Sequence, residues 1–280
     1  MCGGRAVGRT VMVDTARGRV IRLAARLGGG GIPGPVRSLR VRPGDTLVSV
    51  LGDSLTEGWV SASFVRIVEN RLGKRRYRFQ NAGVGGDFMY NLRTRLGPVI
   101  DSHPGSIIVL AGTNDAQHEL LDHRLRLSIE QEKQLPEAPS LAWFRDNLLA
   151  LIQTLQRRTR ARIAVCSIPP LGEDLEGPAN QPVRAHNGSI LATAHDTGVS
   201  YLPVFERMEQ YLRRKRPGPG KPYSGPDRIP QSMWDHFVLR KGWDTIGAAN
   251  GFLLHTDGIH LNQRGAAIIA GLIEDWLIKG

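Results

Sequence analysis

Runs that are apolar at nearly every position, separated by segments with apolar residues at helical spacing, constrain this chain more than any other feature. "DTLVSVL" (45–51), "SIIVLAG" (106–112) and "ARIAVCSI" (161–168) read as fully buried strands, and "YRFQN" (77–81) and "VSYLPV" (199–204) as shorter ones. Between and after them lie helical patterns: "SASFVRIVENRLG", "MYNLRTRLGPVI", "SLAWFRDNLLALIQTLQRRT" with Ser140 as its cap, "PVRAHNGSILATAHDTG" and "NQRGAAIIAGLIEDWLIKG". A strand apolar on both faces needs cover on both faces. Strands alternating with helices therefore predict an α/β domain with a parallel sheet between two helical layers. No internal repeat interrupts the alternation.

The balance of charge limits the partners. The 280-residue chain carries a formal charge of +11, but residues 1–42 hold nine arginines against a single acid, Asp14. The rest holds 28 basic and 25 acidic residues, so it is nearly neutral. Residues 1–40 read as a basic Gly/Arg-rich extension closed by the linker-like "GGGGIPGP". Such an extension offers weak contact with an anionic membrane surface. Without aromatic interleaving or a recognisable module, specific nucleic-acid binding is not expected. No apolar run approaches the ~20 residues of a membrane span. The start lacks the apolar core of a secretory signal, which favours a cytoplasmic location. Cys2 and Cys166 make neither a disulfide framework nor a zinc spacing, and Cys166 reads as a small buried hydrophobe. "HELLDH" (118–123) misses the H-E-x-x-H zinc helix by one position.

Polar, glycine-containing loops follow three of the strands: "GDSLTEG" (52–58), "NAGVGGDFMYNL" (81–92) and "AGTNDAQ" (111–117). A fourth element, "TDGIHLNQRG" (256–265), precedes the last helix. In open parallel sheets, function gathers beyond the carboxyl ends of the strands. Ser54 is inert until a base takes its proton, and His260 is a candidate base. Asp257, three residues earlier, is close enough in a turn to orient the imidazole. Backbone N–H groups of Ser54 and Gly86, with the Asn114 side-chain amide, can receive a developing oxyanion. Taken singly, each loop also reads as an ordinary turn or helix cap.

Together, and in this order, the four blocks resemble those of the SGNH hydrolases, the GDSL esterase/lipase family. "LGDSLTEG" matches the nucleophile block at Ser54. "NAGVGGD" matches the glycine block at Gly86, with Gly85 the second choice. "GTND" matches at Asn114, and "TDGIHLN" at Asp257 and His260. The resemblance spans about residues 43–280. It implies a flavodoxin-like three-layer α/β/α fold, no metal or organic cofactor, and hydrolysis of a small ester through an acyl-enzyme. Substrates in that family include lipid esters, thioesters and acetylated sugars. The other reading is a non-catalytic binding module of hydrolase ancestry, held at an anionic surface by its basic tail. One departure from the family pattern is an insertion around 213–252. Its first half is rich in Pro and Gly, and its second half, "QSMWDHFVLRKGW", reads as a short amphipathic helix. It serves either as a lid or acyl-chain wall beside the site, or as a helix packed on the side of the domain.

Overall fold

A computed structural model describes residues 42–216 and 218–279. The basic extension, residues 1–40, lies outside them. Five strands, β1 (Thr46–Gly52), β2 (Tyr77–Gly83), β3 (Ser106–Leu110), β4 (Arg162–Cys166) and β5 (Ser200–Leu202), form one sheet in the order β2-β1-β3-β4-β5. Every pairing is parallel. The chain first builds β2 on one side of β1 and then reverses to build β3, β4 and β5 on the other. This is the flavodoxin-like order, and its switch point lies at the carboxyl end of β1.

Alternation along the strands explains the two helical layers. Val48, Val50, Ile108, Leu110, Ala164 and Cys166 enter one apolar core. Their strand neighbours Leu51, Ile107, Val109, Ile163 and Val165 enter the other. The first core is closed by α2 (Phe64–Leu72), α9 (Val204–Lys215), α11 (Trp243–Ala249) and α12 (Gln263–Lys279). The second is closed by α3 (Met89–Thr94), α4 (Gly97–Asp101), α7 (Leu141–Arg158) and α8 (Asn180–Thr197). The remaining helices, α1 (Ser54–Glu57), α5 (Thr113–His118), α6 (His123–Glu132) and α10 (Ile229–Phe237), lie in or between the loops.

Local chemistry sets several boundaries. Ser140 caps α7 by accepting the Trp143 N–H at 3.2 Å, and Gly198 ends α8 at φ +69°. The expected single helix over 89–100 divides into α3 and α4. Pro98 lacks an N–H and restricts the residue before it, so the first helix ends at Arg95 and a new one starts around the proline. Cys166 is buried and free, and burial pushes its thiol up to about 12.

The insertion is fastened at several points. Residues 213–215 are still the last turn of α9. Beyond them, Gly172 and Pro222 form an antiparallel bridge, and Lys221 O accepts the Glu173 N–H at 2.6 Å. Helix α10 is held from two directions: Phe237 stacks on Trp59 at 5.1 Å, and His236 stacks on Trp243 of α11 at 3.7 Å. Met233 is buried, whereas Trp234 and Val238 stay exposed.

Candidate active site

Ser54 opens α1, a single turn directly after β1. Gly52 makes this exit feasible: a Cβ there would fall 2.0 Å from Thr56 Oγ1 and 2.4 Å from the Leu110 carbonyl oxygen. No side chain fits that space, so the strand turns at glycine. Asp53 caps the turn by accepting the Leu55 N–H at 3.0 Å.

The segment 256–262 meets Ser54 from the other side. Asp257 Oδ1 accepts the backbone N–H groups of Ile259 and His260 at 2.9 and 2.8 Å. Its Oδ2 lies 2.8 Å from His260 Nδ1, and His260 Nε2 lies 3.0 Å from Ser54 Oγ. An ionised carboxylate only accepts, so Nδ1 carries the proton and Nε2 is left to accept from the serine hydroxyl. Burial opposes charge on Asp257, but the His260 charge and the bonds it receives hold its carboxyl below the ordinary range. Burial likewise opposes a charged imidazole. Asp257, followed by Asp53 and Glu57, outweighs it and carries His260 above its ordinary 6.5. The segment is tied to the chain after α1 through Ser61: Leu261 N–H donates to Ser61 Oγ at 3.0 Å, and Ala62 N–H donates to Leu261 O at 2.9 Å.

The loop after β2 brings Gly86 and Asn114 together. Asn114 Nδ2 donates to the Asp87 carbonyl at 2.9 Å, which uses one of its two amide hydrogens. The Gly85 N–H faces the Glu57 carboxyl group and favours its charged form against burial. Gly86 sits at φ +74°, a conformation that favours glycine. Asp87 is gripped from both sides. Arg95 Nε donates to Oδ2 at 2.7 Å, and Lys133 Nζ reaches Oδ1 at 3.2 Å and Gly85 O at 2.5 Å. Arg95 also donates to the carbonyls of Ala82 and Gly52 at 2.8 and 2.9 Å, tying this loop to the end of β1.

All five residues singled out in the sequence therefore belong to this one rim. Several others there were not legible beforehand. Glu57, Asp87, Arg95 and Lys133 organise the glycine loop. Glu173, fully buried in the loop after β4, accepts the N–H groups of Leu253 and Leu254 at 2.8 and 2.6 Å and lies 3.3 Å from His255 Nδ1. It fixes the segment that leads into Asp257. The available signal was "PPLGED", an acid in another strand-end loop. Two more buried carboxyls lie beneath the rim: burial pushes Asp53 and Asp115 up to about 7. Each has one oxygen without a protein partner, while the other oxygen accepts a backbone N–H. His118 is buried against Glu130 at 2.9 Å, so it serves packing. Among the described residues no cluster of three or more His, Cys, Asp or Glu side chains is arranged to hold a metal ion, and no helix is long and apolar enough to cross a membrane.

The model of the GDSL-like Lipase/Acylhydrolase family matches residues 50–268. No curated protein matches the sequence significantly. Similar solved structures include the acetyl xylan esterase AlAXEase, at 18% identity and TM-score 0.55, covering 83% of this chain and 100% of that one. A lipase/acylhydrolase from Enterococcus faecalis aligns at 17% identity and TM-score 0.54, over 83% of this chain and 95% of that one. Axe2, an acetylxylan esterase from Geobacillus stearothermophilus, aligns at 17% identity and TM-score 0.58, over 84% and 94%. At such identities the likeness speaks for a shared fold.

Proposed function

The chain belongs to the GDSL-like lipase/acylhydrolase family, a hydrolase family acting on ester bonds, and from that premise we propose that it cleaves carboxylic esters through an acyl-enzyme on Ser54. The observation that carries this reading is the continuous line Asp257–His260–Ser54, with contacts of 2.8 and 3.0 Å. His260 Nε2 takes the serine proton as Oγ attacks the ester carbonyl. The oxyanion is held by the N–H groups of Ser54 and Gly86 and by the second Asn114 hydrogen. His260, held charged by Asp257, then protonates the leaving alcohol. Water repeats the sequence on the acyl-enzyme and regenerates Ser54. Each step conserves the proton that His260 gains and returns.

The organisation of the chain follows from this reading. Residues 43–280 form the catalytic domain, and 1–40 a basic extension that lends weak attraction to an anionic membrane surface. The insertion is a fixed wall rather than a lid. Its base reaches the site through Tyr223, whose hydroxyl accepts from Gln117 at 2.6 Å, and its far part stacks on Trp59, five residues beyond the nucleophile. Small esters are the substrates, and the acetylxylan esterases among the similar structures favour acetylated sugars within that class.

Hydrolysis of p-nitrophenyl acetate tests the assignment. Ser54→Ala is expected to abolish turnover with the circular dichroism spectrum unchanged. Asn114→Ala is expected to lower kcat on the order of 10²–10³-fold. Full activity in either variant would remove that residue from the mechanism. The binding-module reading has no specific observation in its favour, since the intact hydrogen-bonded set has no role in a passive binder.

A further inference from the structure

Beside the glycine loop lies a cavity of about 120 Å³. Gly86 and Asn114 line it, together with Phe88 and Gln117; its remaining apolar lining is Leu121 and Ile129. Lys133, which anchors the glycine loop, also borders it. Ser54 and His260 do not line it.

This placement separates the two halves of an ester. In the proposed mechanism His260 protonates the leaving alcohol, so the alcohol must occupy the imidazole's side of the carbonyl. The carbonyl oxygen rests between Gly86 and Asn114. The acyl group is the substituent that points away from the imidazole, so a space that borders the two oxyanion donors and lies away from His260 is placed to receive it. Its size limits what enters. An apolar cavity of about 150 Å³ accepts benzene, with its six carbons. The room here is smaller, opens to solvent, and is partly charged, with Gln117, Glu132 and Lys133 in its lining, so a long apolar chain would have to run past charged groups.

We infer that this cavity is the acyl subsite, that it restricts the enzyme to short acyl groups of about two to four carbons, and that Leu121 and Ile129 set the limit. The inference rests on the esterase reading and adds the substrate class to it. Leu121 and Ile129 suit a specificity role for a structural reason. They lie on the 118–135 excursion, outside both apolar cores, and no residue of α6 is fully buried. Their size can change without disturbing the sheet or the line from Asp257 to Ser54.

The experiment measures kcat/KM on p-nitrophenyl acetate, butyrate and octanoate for the full chain, Ile129→Ala, Leu121→Ala and Ile129→Phe. The wild-type chain should turn over octanoate at least about tenfold more slowly than butyrate, the cost of an acyl chain that outgrows its pocket. Either alanine variant should raise the octanoate-to-acetate ratio by about tenfold, and Ile129→Phe should lower the butyrate-to-acetate ratio. Octanoate turned over as fast as butyrate by wild type overturns the inference and leaves the esterase reading intact. So does a ratio that none of the three variants moves. Absence of turnover on all three esters, with no fluorophosphonate label on Ser54, overturns the esterase reading and the inference with it.

Discussion

At His260, burial and charge act in opposite directions, and charge prevails. A buried imidazole alone would resist protonation, but the Asp257 carboxylate 2.8 Å away reverses the balance and raises its pKa above 6.5. In the proposed mechanism the imidazole must be neutral to take the serine proton, so kcat/KM should fall as pH drops through that raised value. Asp257→Asn keeps the acceptor for the two backbone N–H groups but removes the charge. Burial then acts unopposed by Asp257, and the acid limb of the kcat/KM profile should move to lower pH. The plateau should also fall on the order of 10⁴-fold, because the imidazole loses its preferred tautomer and the stabiliser of its charged form. An acid limb that stays in place would show that Asp257 does not govern His260. Asp53 and Asp115 present the opposite case. Burial dominates there, and their folded-state pKa near 7 exceeds the ordinary 3.8. The folded chain binds more protons than the unfolded one between about 4 and about 7, so these two groups make stability decline as pH rises through that window. At the same scale, the meeting of Ser54, Asp257 and His260 was readable as an expectation, because a serine after an apolar run and an acid three residues before a histidine are the residue types the proposed mechanism needs. Lys133 and Arg95 were not. A lysine or arginine in an amphipathic stretch reads as solvated surface, and only the folded chain shows both closing on Asp87.

Among the elements, α6 and the glycine loop behave as a pair. Lys133, immediately beyond α6, bonds to Gly85 O and Asp87 Oδ1, and the Asp87 carbonyl in turn orients Asn114. Lys133→Met removes both anchors while keeping most of the side-chain volume. Its expected effect on p-nitrophenyl acetate is a fall in kcat on the order of 10–100-fold with KM nearly unchanged, because small displacements of the proposed oxyanion donors act in the transition state. Lys133→Arg should recover part of the loss. An unchanged kcat in the methionine variant would reduce Lys133 to a surface tie. The strands and the long helices α7, α8 and α12 follow directly from their apolar patterns. Helix α6, "HRLRLSIEQE", carries no fully buried residue and so leaves no clear stripe to read. The amphipathic helix expected over 231–243 stops at Phe237, and a second one, α11, starts at Trp243, whose packing with Ile246 into a core supplied by distant segments is not visible locally.

Across the molecule, the sheet order explains why four sequence blocks, spread over some two hundred residues, become one site. The loops after β1, β2 and β3 all leave the same edge, and the segment before α12 returns to it beside the switch point at β1. Glu173 extends the same logic to β4, by holding the backbone of residues 253–255 from its own strand-end loop. Charge is distributed differently from chemistry: most of the excess positive charge lies in residues 1–42, outside the site-bearing domain. Removing residues 1–40 should therefore leave kcat/KM on p-nitrophenyl acetate within about twofold, while lowering retention on anionic vesicles at low salt. Equal retention of the two chains would end the case for surface attraction by the extension. The central claim is that Ser54 is an activated nucleophile, and covalent capture tests it most directly. Treatment with a fluorophosphonate followed by peptide mass spectrometry should place one adduct on Ser54, and His260→Ala should slow its formation by orders of magnitude. A folded chain that acquires no adduct at Ser54, or acquires it equally fast without the His260 imidazole, would contradict the account.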